Sequence, residues 1–264
     1  MKKTLIALAV AASAAVSGSA MAWTASGAGG SVDLGGTLTP TDVTTPWEVK
    51  TGAAVSGLDA SIKRGVSSVN ISVNNAIPVL GIRVADATSK VFSGAAGITP
   101  QINYHDAVNI DGFNDGVTTL TLDVNDDAAQ KIGSLSVPFT AVGFASWRNA
   151  TTGNGNAFST YSSTEGQAFF GGVGKSSSAV TTSGNAESVA NALSPEFTAN
   201  FTDQTSSVID SYYTDFTSEH ITYSAFYGSG INTGSVITIN LDSPFAGDSD
   251  VVWKASLPVE VVYQ

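Results

Sequence analysis

The sequence ends in Trp253-Lys-Ala-Ser-Leu-Pro-Val-Glu-Val-Val-Tyr-Gln264, where every second residue from Trp253 to Tyr263 is apolar. Successive side chains of a β-strand point to opposite faces of a sheet. The alternation therefore predicts a strand with one face on a core and the other in solvent. No segment that could pair with this strand follows it, so we expect it to lie at the edge of a sheet.

Alternating runs of the same kind recur along the chain and are separated by Gly, Asn and Asp. The chain is rich in Thr, Ser, Val, Gly and Asn, which suit strands and turns better than helices. The predicted fold class is therefore all-β, with one large sandwich-like domain. The predicted strands cover residues 47–50, 69–73, 79–84, 118–124, 133–139, 221–227 and 236–241, besides 253–263.

The N-terminal region combines an export signal with one isolated strand pattern. Residues 1–22 have a basic start, a short apolar run and an Ala-Met-Ala ending, which together predict a cleaved signal peptide. The polar residues 23–31 have no means of forming a core by themselves. They lead into a single apolar row at a period of two residues, formed by Val32, Leu34, Gly36 and Leu38.

The middle of the chain has a different composition. Residues 145–185 are rich in Gly, Ser, Thr and Asn, yet they contain aromatic residues that a pure linker would lack. This region is predicted to be a long insertion or a set of loops. Residues 186–193 and 206–213 are each predicted to form a short helix.

The charge and the cysteine content exclude several classes of function. The whole chain has 11 basic and 22 acidic residues. Removal of Lys2 and Lys3 with the signal peptide leaves 9 basic residues against 22 acidic ones, a net charge of −13. Nucleic-acid binding needs clustered Lys and Arg, so no nucleic-acid partner is expected. Because the chain contains no cysteine, thiol catalysis and cysteine-ligated metals are excluded.

No catalytic or metal-binding motif is recognisable. His105 and His220 do not have the spacing of metal ligands, and no nucleophile elbow is present. The acidic turn that begins at Asp123 has Ala128 where a calcium loop needs glycine. We therefore expect a protein that is not an enzyme and that has no catalytic residues, metal or cofactor.

Four stretches resemble enterobacterial chaperone–usher fimbrial subunits. They are the signal and leader up to Trp23, the segments 30–39 and 46–52, and the ending Val-Glu-Val-Val-Tyr-Gln with its penultimate Tyr263. Within that family they are similar to the enterotoxigenic branch, whose major subunit is also the adhesin. The chain is thus expected to be a major or a minor fimbrial subunit.

The resemblance implies an immunoglobulin-like β-sandwich that lacks its last strand and is completed by donor-strand exchange with a neighbouring subunit. It implies a signal peptide at 1–22, a donor-strand extension at 23–40 and a pilin domain at 41–264 with an insertion at about 145–215. The implied partners are neighbouring subunits, a periplasmic chaperone and an outer-membrane usher, on an export route through the periplasm to the cell-surface fimbrium.

The resemblance also implies roles for particular residues. The donor strand would present Val32, Leu34, Gly36 and Leu38. The chaperone-binding C-terminal strand would present Trp253, Ala255, Leu257, Val259, Val261 and Tyr263, with the carboxylate of Gln264 as an anchor for basic residues of the chaperone.

Adhesion to host glycoconjugates is a separate expectation, assigned to the inserted region. Aromatic rings can stack on sugars while polar groups bind the hydroxyls. The same aromatic residues could instead form a satellite core beneath long loops. The alternative function is a monomeric secreted carbohydrate-binding, lectin-like module that needs no chaperone. The candidate glycan-binding residues are Trp147, Arg148, Asn149, Phe158, Tyr161 and Glu165.

Overall fold

The structure is a computed structural model that describes residues 35–36 and 44–264. The second of these ranges contains twelve strands and one α-helix, which confirms the all-β fold class. The elements are β1 (Trp47–Thr51), β2 (Ser68–Ser72), β3 (Ile77–Val84), β4 (Phe92–Ser93), β5 (Pro100–Asn103), β6 (Val117–Asn125), β7 (Lys131–Asn149), β8 (Gly155–Thr160), α1 (Ala186–Leu193), β9 (Ser207–Tyr212), β10 (Ile221–Ile231), β11 (Val236–Leu241) and β12 (Glu260–Tyr263).

The long strand β7 organises the sheet because its two halves have different neighbours. Its first half pairs with β6 on one side and β11 on the other, and β2 lies beyond β11. Its second half lies between β10 and β8. Beyond β10 the sheet continues through β3 to β1, and beyond β8 it ends at β9, which runs parallel to β8. Among the described residues, the last strand, β12, pairs only with β5 in a separate two-stranded sheet.

The burial of β7 shows where each face of the sheet is covered. In the first half, Leu135, Val137 and Phe139 are buried in the main core, whereas the residues between them are half-buried or exposed. From Ala141 to Ser146 every residue is buried. The second half of β7 is therefore covered on both faces, and the first half on only one.

A second hydrophobic cluster covers the outer face of the β7–β10 pair. Val142 and Phe144 of β7 and Phe226 of β10 pack there against α1 and the segment that follows it. Phe197 fits above two glycines, because a Cβ atom on Gly81 or Gly228 would come within 2.3 Å and 2.6 Å of its ring. Residues 186–201 thus fold back as a lid on this part of the sheet.

Most of the strands predicted from alternation are confirmed, and so is the helix at 186–193. The predicted helix at 206–213 is wrong, because this segment forms the edge strand β9. Its β-branched residues Val208 and Ile209 suit a strand, and the free edge of β8 supplies backbone partners. The middle region is also more regular than predicted, since β7 runs on to Asn149 and β8 follows it. The predicted signal peptide lies outside the described residues.

Candidate functional site

The C-terminal segment 253–264 keeps the alternation of its sequence over its whole length. Its odd-numbered residues are half-buried and pack against the main core, while its even-numbered residues are exposed. Only residues 260–263 of this segment form a regular strand, so the predicted strand at 253–263 is shorter than expected. The half-buried residues are Trp253, Ala255, Leu257, Val259, Val261 and Tyr263.

With the residues that the structure describes, the backbone of this segment forms hydrogen bonds along one edge only. Gln264 exchanges backbone hydrogen bonds of 2.9 and 3.1 Å with Thr99, and Lys254 exchanges two of 2.8 Å with Asn125. The residues of this segment that donate and accept these bonds are even-numbered. Because successive residues of an extended chain direct their N–H and C=O groups to alternate sides, those of the odd-numbered residues point to the opposite edge. Within the described ranges, no strand lies along that opposite edge.

Pro258 is compatible with this arrangement. The backbone nitrogen of this even-numbered residue faces the side of β5 and β6, where any other residue type would present an N–H group. No backbone hydrogen bond is formed there between Lys254 and Glu260 in the described part of the chain. Proline has no N–H group to lose, so it does not weaken the edge at which the odd-numbered residues present their backbone.

The C-terminal residue is held by its own chain. The Gln264 side chain donates a 2.7 Å hydrogen bond from Nε2 to Oε1 of Glu165, and the backbone oxygen of Gln264 accepts from Thr99. The predicted chaperone anchor and the predicted glycan-binding residue Glu165 are therefore in direct contact. Neither prediction included this contact, and the sequence gives no signal of a pairing across 99 residues.

Most of the predicted donor row lies outside the described residues, including Val32, Leu34 and Leu38. Gly36 is described and exposed, and it belongs to no strand. The donor row therefore stays a prediction. A segment without regular structure follows β1, and its residues 53–62 form no backbone hydrogen bond with any described residue.

The structure engages the first three predicted glycan-binding residues in contacts within the protein. Trp147 packs against the main core. The Arg148 guanidinium donates to the Gln204 carbonyl and to Thr205 Oγ1, both at 2.7 Å. Asn149 Oδ1 accepts from the backbone N–H groups of residues 151 and 152 and so closes the β7–β8 turn. A fourth candidate, Phe158, is only 1 % exposed and belongs to the main core.

Tyr161 has a different environment, because the structure brings it together with Tyr212 and Tyr213. The rings of Tyr161 and Tyr213 have centroids 6.0 Å apart, and the rings of Tyr212 and Tyr213 are stacked at 4.7 Å. The Tyr213 hydroxyl beside it raises the pKa of Tyr212 above its ordinary value. The sequence analysis missed this pair because it assigned both tyrosines to a helix. Alternation in Val208-Ile-Asp-Ser-Tyr212 is too weak to reveal the strand.

Two further features are absent from the part of the chain that the structure describes. No group of three or more His, Asp or Glu residues is placed to hold a metal ion there. No helix within the same residues is long and apolar enough to cross a membrane.

Comparison with known proteins identifies the family. The model of the family described as "Fimbrial, major and minor subunit" matches residues 1–264. K88 fimbrial protein AB of Escherichia coli is 32% identical over 291 aligned residues that cover 100% of both chains. F41 fimbrial protein of Escherichia coli is 31% identical over 286 residues, again covering 100% of both. The chain therefore belongs to the family of fimbrial major and minor subunits, which are structural proteins of cell-surface appendages.

Proposed function

We propose that this fimbrial subunit polymerises by donor-strand complementation, with the edge of residues 253–263 accepting the N-terminal strand of a neighbouring subunit. The observation that carries the proposal is the coincidence of two features on the same odd-numbered residues. Their side chains are only half-buried against the core, and their backbone groups face an edge with no strand among the described residues.

A strand added along this edge would satisfy both features at once. Its backbone would pair with the odd-numbered N–H and C=O groups, and its own apolar row would complete the cover of the main core. Val32, Leu34 and Leu38 supply such a row. At about 1.5–3 kcal/mol for each fully buried side chain, the row would contribute several kcal/mol per junction before the cost of ordering the donor segment.

An open edge of this kind must be protected during export, because unpaired strands promote aggregation. We propose that a periplasmic chaperone occupies the edge until the subunit reaches an outer-membrane usher, where the neighbouring subunit replaces it. The Gln264 carboxylate is the proposed anchor for basic residues of the chaperone. Its contact with Thr99 would have to remain compatible with this binding, or be exchanged for it.

The test is a deletion of residues 23–40 that keeps the signal peptide. We expect no surface fibres by electron microscopy, since the subunit would still have an accepting edge but nothing to donate. A matched deletion of residues 23–31 removes only the polar leader and should leave fibres. Fibres of native length and heat resistance from the larger deletion would contradict donor-strand complementation.

Adhesion to host glycans is a second proposed function, favoured by the exposed tyrosines of the inserted region. Glycan binding without polymerisation would instead indicate the lectin-like alternative. Expression with and without the cognate chaperone separates the two. A pilus subunit should be degraded or should aggregate when expressed alone, whereas a self-sufficient lectin should accumulate as a soluble monomer.

A further inference from the structure

Three tyrosines converge where the parallel strands β8 and β9 end side by side. Thr160 of β8 is in register with Tyr212 of β9, and the Tyr161 N–H donates a 3.2 Å hydrogen bond to the Tyr212 carbonyl. The residues that follow the two strands, Tyr161 and Tyr213, are therefore neighbours. Their position is fixed by the backbone pairing and does not depend on side-chain contacts alone.

The tyrosine cluster is anchored from below. The Tyr212 ring meets Phe158 edge-on, with centroids 5.8 Å apart and planes at 77°. Tyr213 then stacks on Tyr212 with an angle of 15° between the rings, and Tyr161 packs against Tyr213 at 62°. Because Phe158 belongs to the main core, the cluster has a rigid support, and little rotamer freedom remains to be lost when a ligand binds.

The cluster is exposed in a way that other aromatic residues are not. Tyr212 is 48% exposed and Tyr213 is 43% exposed, and no other Phe, Trp or Tyr side chain in the described ranges is exposed to a similar degree. Large aromatic rings usually contribute buried core area. An anchored pair of tyrosines left in solvent is therefore better explained by recognition than by stability.

The surroundings indicate the chemistry of the ligand. Residues 155–174 and 199–220 contain no Lys or Arg, whereas they include Glu165, Asp203, Asp210, Asp215 and Glu219. The chain as a whole has a net charge of −11. Arg148, whose guanidinium binds residues 204 and 205, pairs with Gly155 at the end of β8 that lies away from Tyr161. An anionic ligand at the tyrosines would therefore be repelled by the carboxylates of these two segments without a compensating cation from either of them. A neutral ring with an apolar face and peripheral hydroxyls matches both the tyrosine rings and their hydroxyl groups.

We propose that Tyr161, Tyr212 and Tyr213 form a stacking platform for a neutral hexopyranose at the surface of the fimbria. This inference rests on the proposed adhesive function and gives that function a site. Of the six residues that the sequence predicted to bind a glycan, the platform keeps Tyr161. It also includes two tyrosines that were assigned to a helix.

The experiment uses fimbriae assembled from the full-length chain, applied to an array of neutral hexopyranosides with sialylated glycans on the same slide. Tyr213→Ala removes the outer ring of the stack, and Tyr213→Phe keeps the ring but removes its hydroxyl. Val208→Ala is the matched control, because Val208 is 58% exposed on the same strand but outside the cluster. Fibre length by electron microscopy shows that each variant still folds and polymerises.

We expect wild-type fimbriae to bind at least one neutral hexopyranoside, and Tyr213→Ala to weaken that binding about tenfold, equivalent to about 1.4 kcal/mol. Tyr213→Phe should retain most of the binding, and Val208→Ala all of it. A further variant changes Tyr161, Tyr212 and Tyr213 together to Ala. Binding by the wild type with no loss in Tyr213→Ala or in this triple variant would overturn the platform but leave the adhesive function intact. Binding restricted to sialylated glycans would overturn the neutral ligand. Wild-type fimbriae that bind only protein receptors, or no glycan at all, would overturn both the platform and the adhesive function.

Discussion

Two apolar surfaces of this subunit differ in how far the chain itself buries them. The outer face of the β7–β10 pair, with Phe144 and Phe226, is buried beneath α1 and Phe197 of the same chain. The apolar row of residues 253–263 is only half-buried, and the described residues place no strand along its edge. Both surfaces are rich in large apolar side chains, so composition alone does not distinguish them.

The difference lies in where the cover comes from. A lid encoded in the same chain closes with high effective concentration, so that surface contributes to the stability of a single subunit. A surface completed by another molecule links stability to assembly, because burial is gained only on binding. We therefore expect substitutions on the covered face to change the free energy of unfolding, and substitutions in the C-terminal row to change polymerisation.

The largest effect is expected from Leu257→Asp in the half-buried row. A carboxylate there would face the main core and the incoming strand, where it would lose hydration without a partner. We expect loss of surface fibres by electron microscopy and loss of the complex with the chaperone on co-purification. Ser256→Asp is the matched control, because Ser256 is on the exposed face of the same segment. Equal fibre yields from the two variants would show that the row is not an assembly surface.

The next largest effect is expected from Phe226→Ala on the covered face. Phe226 is fully buried and packs against Phe144 and Phe201. Its truncation should lower the free energy of unfolding by about 3–5 kcal/mol, as measured by urea denaturation of the chaperone-free subunit complemented with a donor peptide. Val208→Ala, at an exposed site, should change it by less than about 0.5 kcal/mol. A similar small change for Phe226→Ala would mean that the lid does not pack as described.

A smaller loss is expected from Gly81→Ala, which tests the fit of the lid against the sheet. The added Cβ would come within 2.3 Å of the Phe197 ring, so the ring or the backbone must move. We expect destabilisation of about 1–3 kcal/mol in the same denaturation assay. Gly184→Ala is the control, since a Cβ there would have no atom within 4 Å. Unchanged stability in Gly81→Ala would indicate that Phe197 is free to swing away.

The smallest effect is expected from Tyr104→Phe, inside the main core. The Tyr104 hydroxyl is 2.9 Å from that of Tyr227 and 2.8 Å from Ser229 Oγ. Removal of this hydroxyl should lower the free energy of unfolding by about 1–2 kcal/mol, because Tyr227 and Ser229 each lose one buried hydrogen bond. Tyr227 still donates to the Gly172 carbonyl.

The same residue gives a test that depends on pH. Burial raises the pKa of Tyr104 to about 12, against about 10 for tyrosine in an unfolded chain. The unfolded state therefore releases this proton first, so the stabilisation is complete below pH 10 and is lost as the pH rises towards 12. Between pH 10 and 11.5, stability should fall more steeply for the wild type than for Tyr104→Phe. Parallel slopes would contradict the assignment of the buried hydroxyl.

The sequence predicted those parts of the fold that depend on local alternation. Alternation predicts a strand with one solvent-facing side in Leu135-Ser-Val137-Pro-Phe139, and the first half of β7 is such a strand. The second half of β7 carries no alternation because the lid covers its other face, so its pattern is that of a buried strand and its extent was missed. The segment 206–213 was misassigned for a related reason. It is exposed on both faces, and only its pairing with β8 makes it a strand.

The candidate sites divide in the same way. The odd-numbered row of residues 253–263 could be predicted, because burial on one face imposes a period of two on the sequence itself. Two other features could not be predicted. They are the contact between Glu165 and Gln264 and the clustering of Tyr161 with Tyr212 and Tyr213. Each joins residues at least 51 positions apart, through a pairing of strands or loops that leaves no local pattern.

The sequence by itself therefore determined the fold class, the fimbrial family and the alternating C-terminal segment with which the sequence analysis began. Each of these rests on patterns that neighbouring residues impose on one another. The tertiary structure decided which apolar surface is closed by the chain's own lid, which edge has no partner strand among the described residues, and which aromatic rings reach solvent. Those outcomes depend on contacts between segments far apart in sequence, where packing geometry rather than local pattern sets the free energy.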